Sequence, residues 1–211
     1  MKSDQRSDPF FLADHRALDF LNSVAAPWGE PIEWLGDGGD LIDWLRRASL
    51  VEEAVLIRVT KDLPREDLDR AALKARELRE WFREFLRQHA GTVLSKAALR
   101  ALAPLNRLLG TDEAYRQIKL ATAVPAGEGA GLHWSTQRRW RSAATLLLPI
   151  AEAIGDLVCS PRFTDVKKCE SCTLWFLDSS QAHSRRWCSM AVCGNRAKAA
   201  AMRARRKASA G

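Results

Sequence analysis

The chain has 211 residues and a mass of 23.6 kDa, enough for one good-sized domain, or for one domain plus a small module held by a metal. With 28% charged and 46% hydrophobic residues it can bury a core, which excludes a disordered chain. No run approaches the roughly 18 apolar residues of a membrane span, and the opening Met-Lys-Ser-Asp-Gln-Arg-Ser-Asp lacks a signal peptide's apolar stretch, so a cytoplasmic protein with no membrane partner is expected. The net charge of +7 is uneven: residues 162–211 hold 11 Lys+Arg against 3 Asp+Glu, while the rest is balanced to within one charge. A near-neutral body with a basic end points to a tail that meets a polyanion.

In chain order, Phe10–Leu12 and Ala17–Leu21 flank a polar Ala-Asp-His-Arg break and read as β structure about a turn, the second run carrying Asp19 and Asn22. Residues 27–39 are rich in Pro and Gly and read as a loop. Asp40 is the expected N-cap of a helix with Leu41, Trp44 and Leu45 on one face, and Val51–Val59 continues as helix. Pro64 opens the longest helix. Glu66 and Asp67 sit in its first turn, and Leu68, Ala71, Ala75, Leu78, Phe82 and Phe85 form an apolar stripe. Ser95 begins another helical run that Pro104 must bend or split. Residues 113–124 and 132–135 alternate in polarity about a Gly-rich turn and read as a hairpin, and Arg138–Val158 regains helical spacing with a kink expected at Pro149. The fold class is therefore α+β: a mostly helical N-terminal domain with a small antiparallel sheet, over 1–161, and a small C-terminal module ending in a basic helix, over 162–211, whose four cysteines, Cys169, Cys172, Cys188 and Cys193, mark it as a zinc finger.

The body carries no phosphate loop, no nucleophile elbow and only scattered histidines, so no enzyme is expected. It is rich in tryptophan: Trp28, Trp34, Trp44, Trp81, Trp134 and Trp140. These either fill the core or in part line a small-molecule pocket, for which Asp19, Asn22, Trp134 and Trp140 are the candidates.

Cys169, Cys172, Cys188 and Cys193 read C-x2-C-x15-C-x4-C. Paired thiols at this spacing suit one tetrahedral structural Zn2+ with no open catalytic position. A redox pair or an iron–sulfur cluster fits the spacing less well, and His183 is an alternative ligand. Cys159 is expected to be a buried free thiol. Arg185 and Arg186 precede the third ligand and are expected to point outward and bind nucleic acid. Beyond the fourth, an alanine seam (Ala197, Ala201, Ala204, Ala208) would lie on the module, with Arg196, Lys198, Arg203, Arg205, Arg206 and Lys207 presented to nucleic acid.

The stretches Cys169-Glu170-Ser171-Cys172, Trp175 to Ser180, Ser184 to Met190 and Cys193-Gly194-Asn195-Arg196-Ala197-Lys198 resemble the CGNR zinc finger. Ala17-Leu18-Asp19-Phe20-Leu21-Asn22-Ser23, with Leu35–Trp44 and Leu105-Asn106, resembles the ABATE domain that precedes this finger in a bacterial family of stress-induced transcription regulators; Ser23 stands where threonine is common. The resemblance implies a regulatory, ligand-sensing body coupled to a finger that binds double-stranded DNA. The alternative is an RNA-binding or protein-docking module whose zinc is purely structural. A homodimer would suit palindromic half-sites, but no coiled-coil seam of adequate length is visible.

Overall fold

The computed structural model describes residues 7–26, 29–120 and 131–208. Trp28 and most of the Gly-rich hairpin turn lie outside them. The polar break is a turn, with Asp14 in the left-handed region at φ 58°. The run after it is helix α1 (Arg16–Leu21), not a strand. His15 starts it, its Nδ1 accepting from the Ala17 N–H at 3.2 Å. All five residues from Ala17 to Leu21 are buried, Asp19 included, so the run without a polar face that resembled a strand is a short helix enclosed by the core.

A two-residue ladder of β1 (Val24–Ala25) with β2 (Ile32–Glu33) leads to α2 (Gly38–Arg47). Its N-cap is Asp37, which accepts from Asp40 N–H at 2.9 Å, so the helix starts three residues earlier than expected. Gly38 is required there. A Cβ on it would come within 2.4 Å of Leu68 Cβ and 2.7 Å of the Leu68 backbone, because α2 crosses the start of α4 at contact distance.

Next come α3 (Glu53–Asp62) and α4 (Arg65–His89), the latter opened by Pro64 and burying all six residues of the expected stripe. Pro104 splits its region as expected, into α5 (Lys96–Ala101) and α6 (Ala103–Leu109). The hairpin is β3 (Ala114–Leu120) against β4 (Leu132–Arg138), in register from Ala114↔Arg138 to Leu120↔Leu132. A 3-10 turn over Ala143–Leu147 runs into α7 (Leu148–Cys159). Pro149 lies in the first turn of α7, where its missing N–H is harmless, and so makes no kink. Cys159, at the helix end, is exposed, not buried. The body core gathers α1, α2, α4 and α7, with Trp44 edge-on to Phe20 at 5.7 Å between ring centroids.

The C-terminal part comprises the antiparallel pair β5 (Val166–Lys168) and β6 (Trp175–Leu177), a π turn over Met190–Gly194 and helix α8 (Asn195–Ala208). Asn195 is not an N-cap: it continues the helix and donates from Nδ2 to the Ala191 carbonyl at 3.0 Å. Packing crosses the expected boundary after residue 161. Phe163, Val166, Trp175 and Leu177 belong to the body's core, while Ala25 and Trp34 of the body pack with Cys169, Phe176, Cys188 and Cys193.

Candidate metal centre, basic helix and ligand groove

Each cysteine pair is brought in by a tight local turn. Cys169 and Cys172 stand in the knuckle between β5 and β6, closed by Cys169 N–H donating to the Leu174 carbonyl at 2.9 Å. Cys193 is fixed by the π turn, where its N–H donates to the Ser189 carbonyl at 3.0 Å. The four sulfurs lie within 4.8 Å of one another. Cys172–Cys188 and Cys188–Cys193 are 3.6 and 3.7 Å apart, close to the edge of about 3.8 Å that a tetrahedron with 2.3 Å Zn–S bonds requires. They are far too long for disulfides. Hydrogen bonding from Cys188 draws the Cys172 thiol down to about 5, and Cys188, donating to it, is pushed up. Burial lifts Cys193 to about 11. A divalent cation removes this conflict, since all four can then bind as thiolates. The residues fit one structural zinc. His183 is not among the ligands; its Nδ1 faces Asp165 at 3.0 Å.

The arginines beside the metal fall into two groups. Arg185 does not point outward. It donates to the Trp187 carbonyl at 2.9 Å and to that of Cys188, pairs with Asp14 at 2.6 Å, and lies 4.6 Å from the Phe176 ring centroid. Arg196 turns back to the knuckle, bonding Ser171 and reaching Cys193 Sγ at 3.6 Å. Both therefore hold the metal loop. Arg186 is exposed, paired with Glu170 and set over the Trp187 ring. Beyond the first turn of α8 every described side chain from Lys198 to Arg206 is exposed, including Arg203, Arg205, Ala201 and Ala204. The alanine seam therefore does not lie on the module; the helix projects from it. The side chain of Lys207 lies outside the described set.

Behind the metal loop Asp178 is fully buried. Burial alone would raise its pKa, but Lys167 Nζ at 2.7 Å, the Ser180 hydroxyl at 2.6 Å and two backbone N–H groups hold it well below the ordinary carboxylate range.

The four pocket candidates separate. Asn22 is not in a pocket. Its side chain pairs with the Trp175 backbone on both sides, accepting from N–H at 3.0 Å and donating to the carbonyl at 2.8 Å, so it docks β6 onto the body. Ser23 accepts from buried Arg79 at 2.9 Å, which also forks onto Glu33 at 2.6 and 2.8 Å. Asp19 floors a cleft of about 520 Å³, and Trp140 walls a neighbouring one of about 330 Å³. Leu50 and Glu152 line both, so the two clefts form one groove. Trp134 stands away from it on β4, 61% exposed, with Arg116 over its ring. Its face of the hairpin also exposes Ile118, Leu120 and Leu132. Sequence reasoning missed His15, Leu50 and Glu152 as groove residues, because they come from three elements distant in the chain.

Among the described residues no helix is long and apolar enough to cross a membrane. The family described as "Putative stress-induced transcription regulator", ABATE, matches residues 14–161, and the CGNR zinc finger matches residues 166–206. No match is found among curated proteins.

Proposed function

Since the chain belongs to the ABATE family of transcription regulators and ends in a CGNR zinc finger, we propose that it is a DNA-binding regulator whose body senses a small molecule, and not an enzyme. The observation that carries this reading is α8: a helix of 14 residues, about 21 Å long, rooted in the metal loop and exposed along Lys198–Arg206. A major groove is about 12 Å wide and admits such a helix. The contacts are assigned to Lys198, Arg203, Arg205, Arg206 and Lys207, and to Arg186 once Glu170 releases it. Arg185 and Arg196 act through the metal loop, as positioning residues. Sensing is assigned to the groove between Asp19 and Trp140.

The test is selection of bound sequences from a random duplex pool by the zinc-loaded chain. An enriched motif supports the reading, together with a fall of log K against log salt of slope about −4 to −5 for five phosphate contacts. Replacing Arg203 and Arg205 with alanine should flatten that slope by about two. A preference for single-stranded RNA, or no nucleic-acid binding at low salt, overturns it in favour of an RNA-binding or docking module. For a two-fold partner, the apolar hairpin face of Ile118, Leu120, Leu132 and Trp134 is the candidate seam. Two copies face to face would bury on the order of 1,000 Å², the lower end of a specific interface. Sedimentation of Trp134→Ser against the parent checks it, the parent being the heavier species.

A further inference from the structure

The cleft over α1 has a lining of uneven chemistry. Phe11, Leu50 and Pro149 give it apolar walls, and its polar groups include Asp14, Asp19, Glu152 and Asp156. Its volume of about 520 Å³ lies within the range of roughly 300–1,000 Å³ typical of small-molecule sites. Asp19 is only 3% exposed. One oxygen accepts from the Ala13 N–H at 3.1 Å, and the other has Arg16 Nη1 at a loose 3.4 Å. The Arg16 guanidinium also lies 5.6 Å from the Phe11 ring centroid, on a side chain 45% exposed. A tethered cation thus rests between a buried carboxylate and an aromatic face, held by long contacts and open to solvent.

We infer that this cleft binds an organic cation, an ammonium or guanidinium on a small apolar body, in the place that Arg16 now holds. This deepens the sensing half of the proposed function and rests on it. A buried carboxylate with an aromatic face is the arrangement that recognises such a head group, and an apolar body would lie along Leu50 toward Trp140 in the adjoining part of the groove. Burial, opposed by the Ala13 and Arg16 hydrogen bonds, raises the Asp19 carboxyl to about 6, so a second cation at hydrogen-bond distance would find a group whose charge is poorly compensated. Two of the same residues hold the finger. Asp14 accepts from Arg185 Nη1 at 2.6 Å and from the Ser179 hydroxyl at 3.0 Å, and the Ala13 carbonyl accepts from Leu177 N–H at 2.9 Å. A cation in the cleft competes with Arg185 for Asp14, and Arg185 is what clamps the carbonyls of Trp187 and Cys188.

The experiment is calorimetric titration of the zinc-loaded full chain, without DNA, with phenethylammonium, and separately with 3-phenylpropionate as the anion of similar shape. Saturable binding of the ammonium alone is expected, weakened at least about tenfold by Asp19→Asn, which loses a charged hydrogen bond. Arg16→Ala, at an exposed side chain, should tighten it several-fold by vacating the site, an effect that a merely structural role for these residues would not produce. Hydrogen exchange over residues 184–189 should quicken on binding. No saturation with the ammonium, equal binding of the anion, or weaker binding by Arg16→Ala overturns the inference, and unchanged exchange overturns its link to the finger. None of these results bears on DNA binding, which is read separately by the duplex selection.

Discussion

Helices α1 and α8 use opposite logic. Six residues long, α1 buries five, and its polar groups all have partners within the chain: Asp19 on Ala13 and Arg16, and Asn22, just past its end, on Trp175. With 14 residues, α8 has described side chains exposed throughout Lys198–Arg206. A helix of that length without packing is marginal in water, even when rich in alanine. The first joins two parts of the molecule, and the second projects from the metal loop with its described side chains in solvent. Sequence motifs of similar prominence therefore carry different kinds of information: Leu-Asp-Phe-Leu-Asn-Ser fixes the protein to itself, whereas the basic helix is exposed along Lys198–Arg206.

The strongest way to break the contrast is to remove the metal. Chelation, or Cys188→Ser, should forfeit folding free energy on the order of 10 kcal/mol. Because Trp175 and Leu177 sit in the body's core, the loss should reach α1, seen as faster hydrogen exchange over residues 16–22. A body left fully protected would show that the joint is not one. The next effect is Asn22→Ala, which orphans a buried N–H and a buried carbonyl of Trp175 and should cost about 2–4 kcal/mol in thermal or denaturant unfolding.

A smaller effect of opposite sign belongs to Asp19. Its carboxyl is raised from 3.8 to about 6, so between those pH values the folded chain holds a proton that the unfolded chain has released. Native stability therefore falls as pH rises through that window and is level above it. Asp19→Asn keeps an acceptor for Ala13 and should be about 2–3 kcal/mol more stable than the parent at pH 7. The gap should close near pH 4, which denaturant titrations at the two pH values would read. Smallest of all is Ala204→Gly in the exposed helix. It should leave thermal unfolding unchanged within about 0.5 kcal/mol, yet weaken duplex binding by about fivefold, since some 1 kcal/mol of helix propensity is lost only where the helix must be ordered.

How far the sequence reveals each of these follows from the range of the forces involved. Local ones were readable: the α4 stripe, the split at Pro104, the hairpin and the four cysteines all show in short windows, and each stands where spacing put it. The run at 17–21 is too short for its four apolar residues to show a usable period, and its cap is a histidine nitrogen outside the usual N-cap set. Asp40 was the expected start of α2, but the cap is Asp37, whose extended backbone lets its side chain accept from Asp40 N–H. Arg185 looked free because its partner Asp14 stands 171 residues away. The groove was half readable: Asp19 and Trp140 lie on it, whereas Asn22, grouped with Asp19 because both stand in one short run, and Trp134 do not.

The double hydrogen bond of Asn22 to the backbone of Trp175, with Ala13 pairing to Leu177 beside it, bears on how such proteins can recombine. A finger that completes its strand pairing on the preceding domain is a poor cassette. Spliced behind an unrelated body, it would arrive with three backbone groups and an apolar strand face left open to water. Shuffling therefore favours exchange of the whole pair, and drift in the docking residues of one half must be answered in the other.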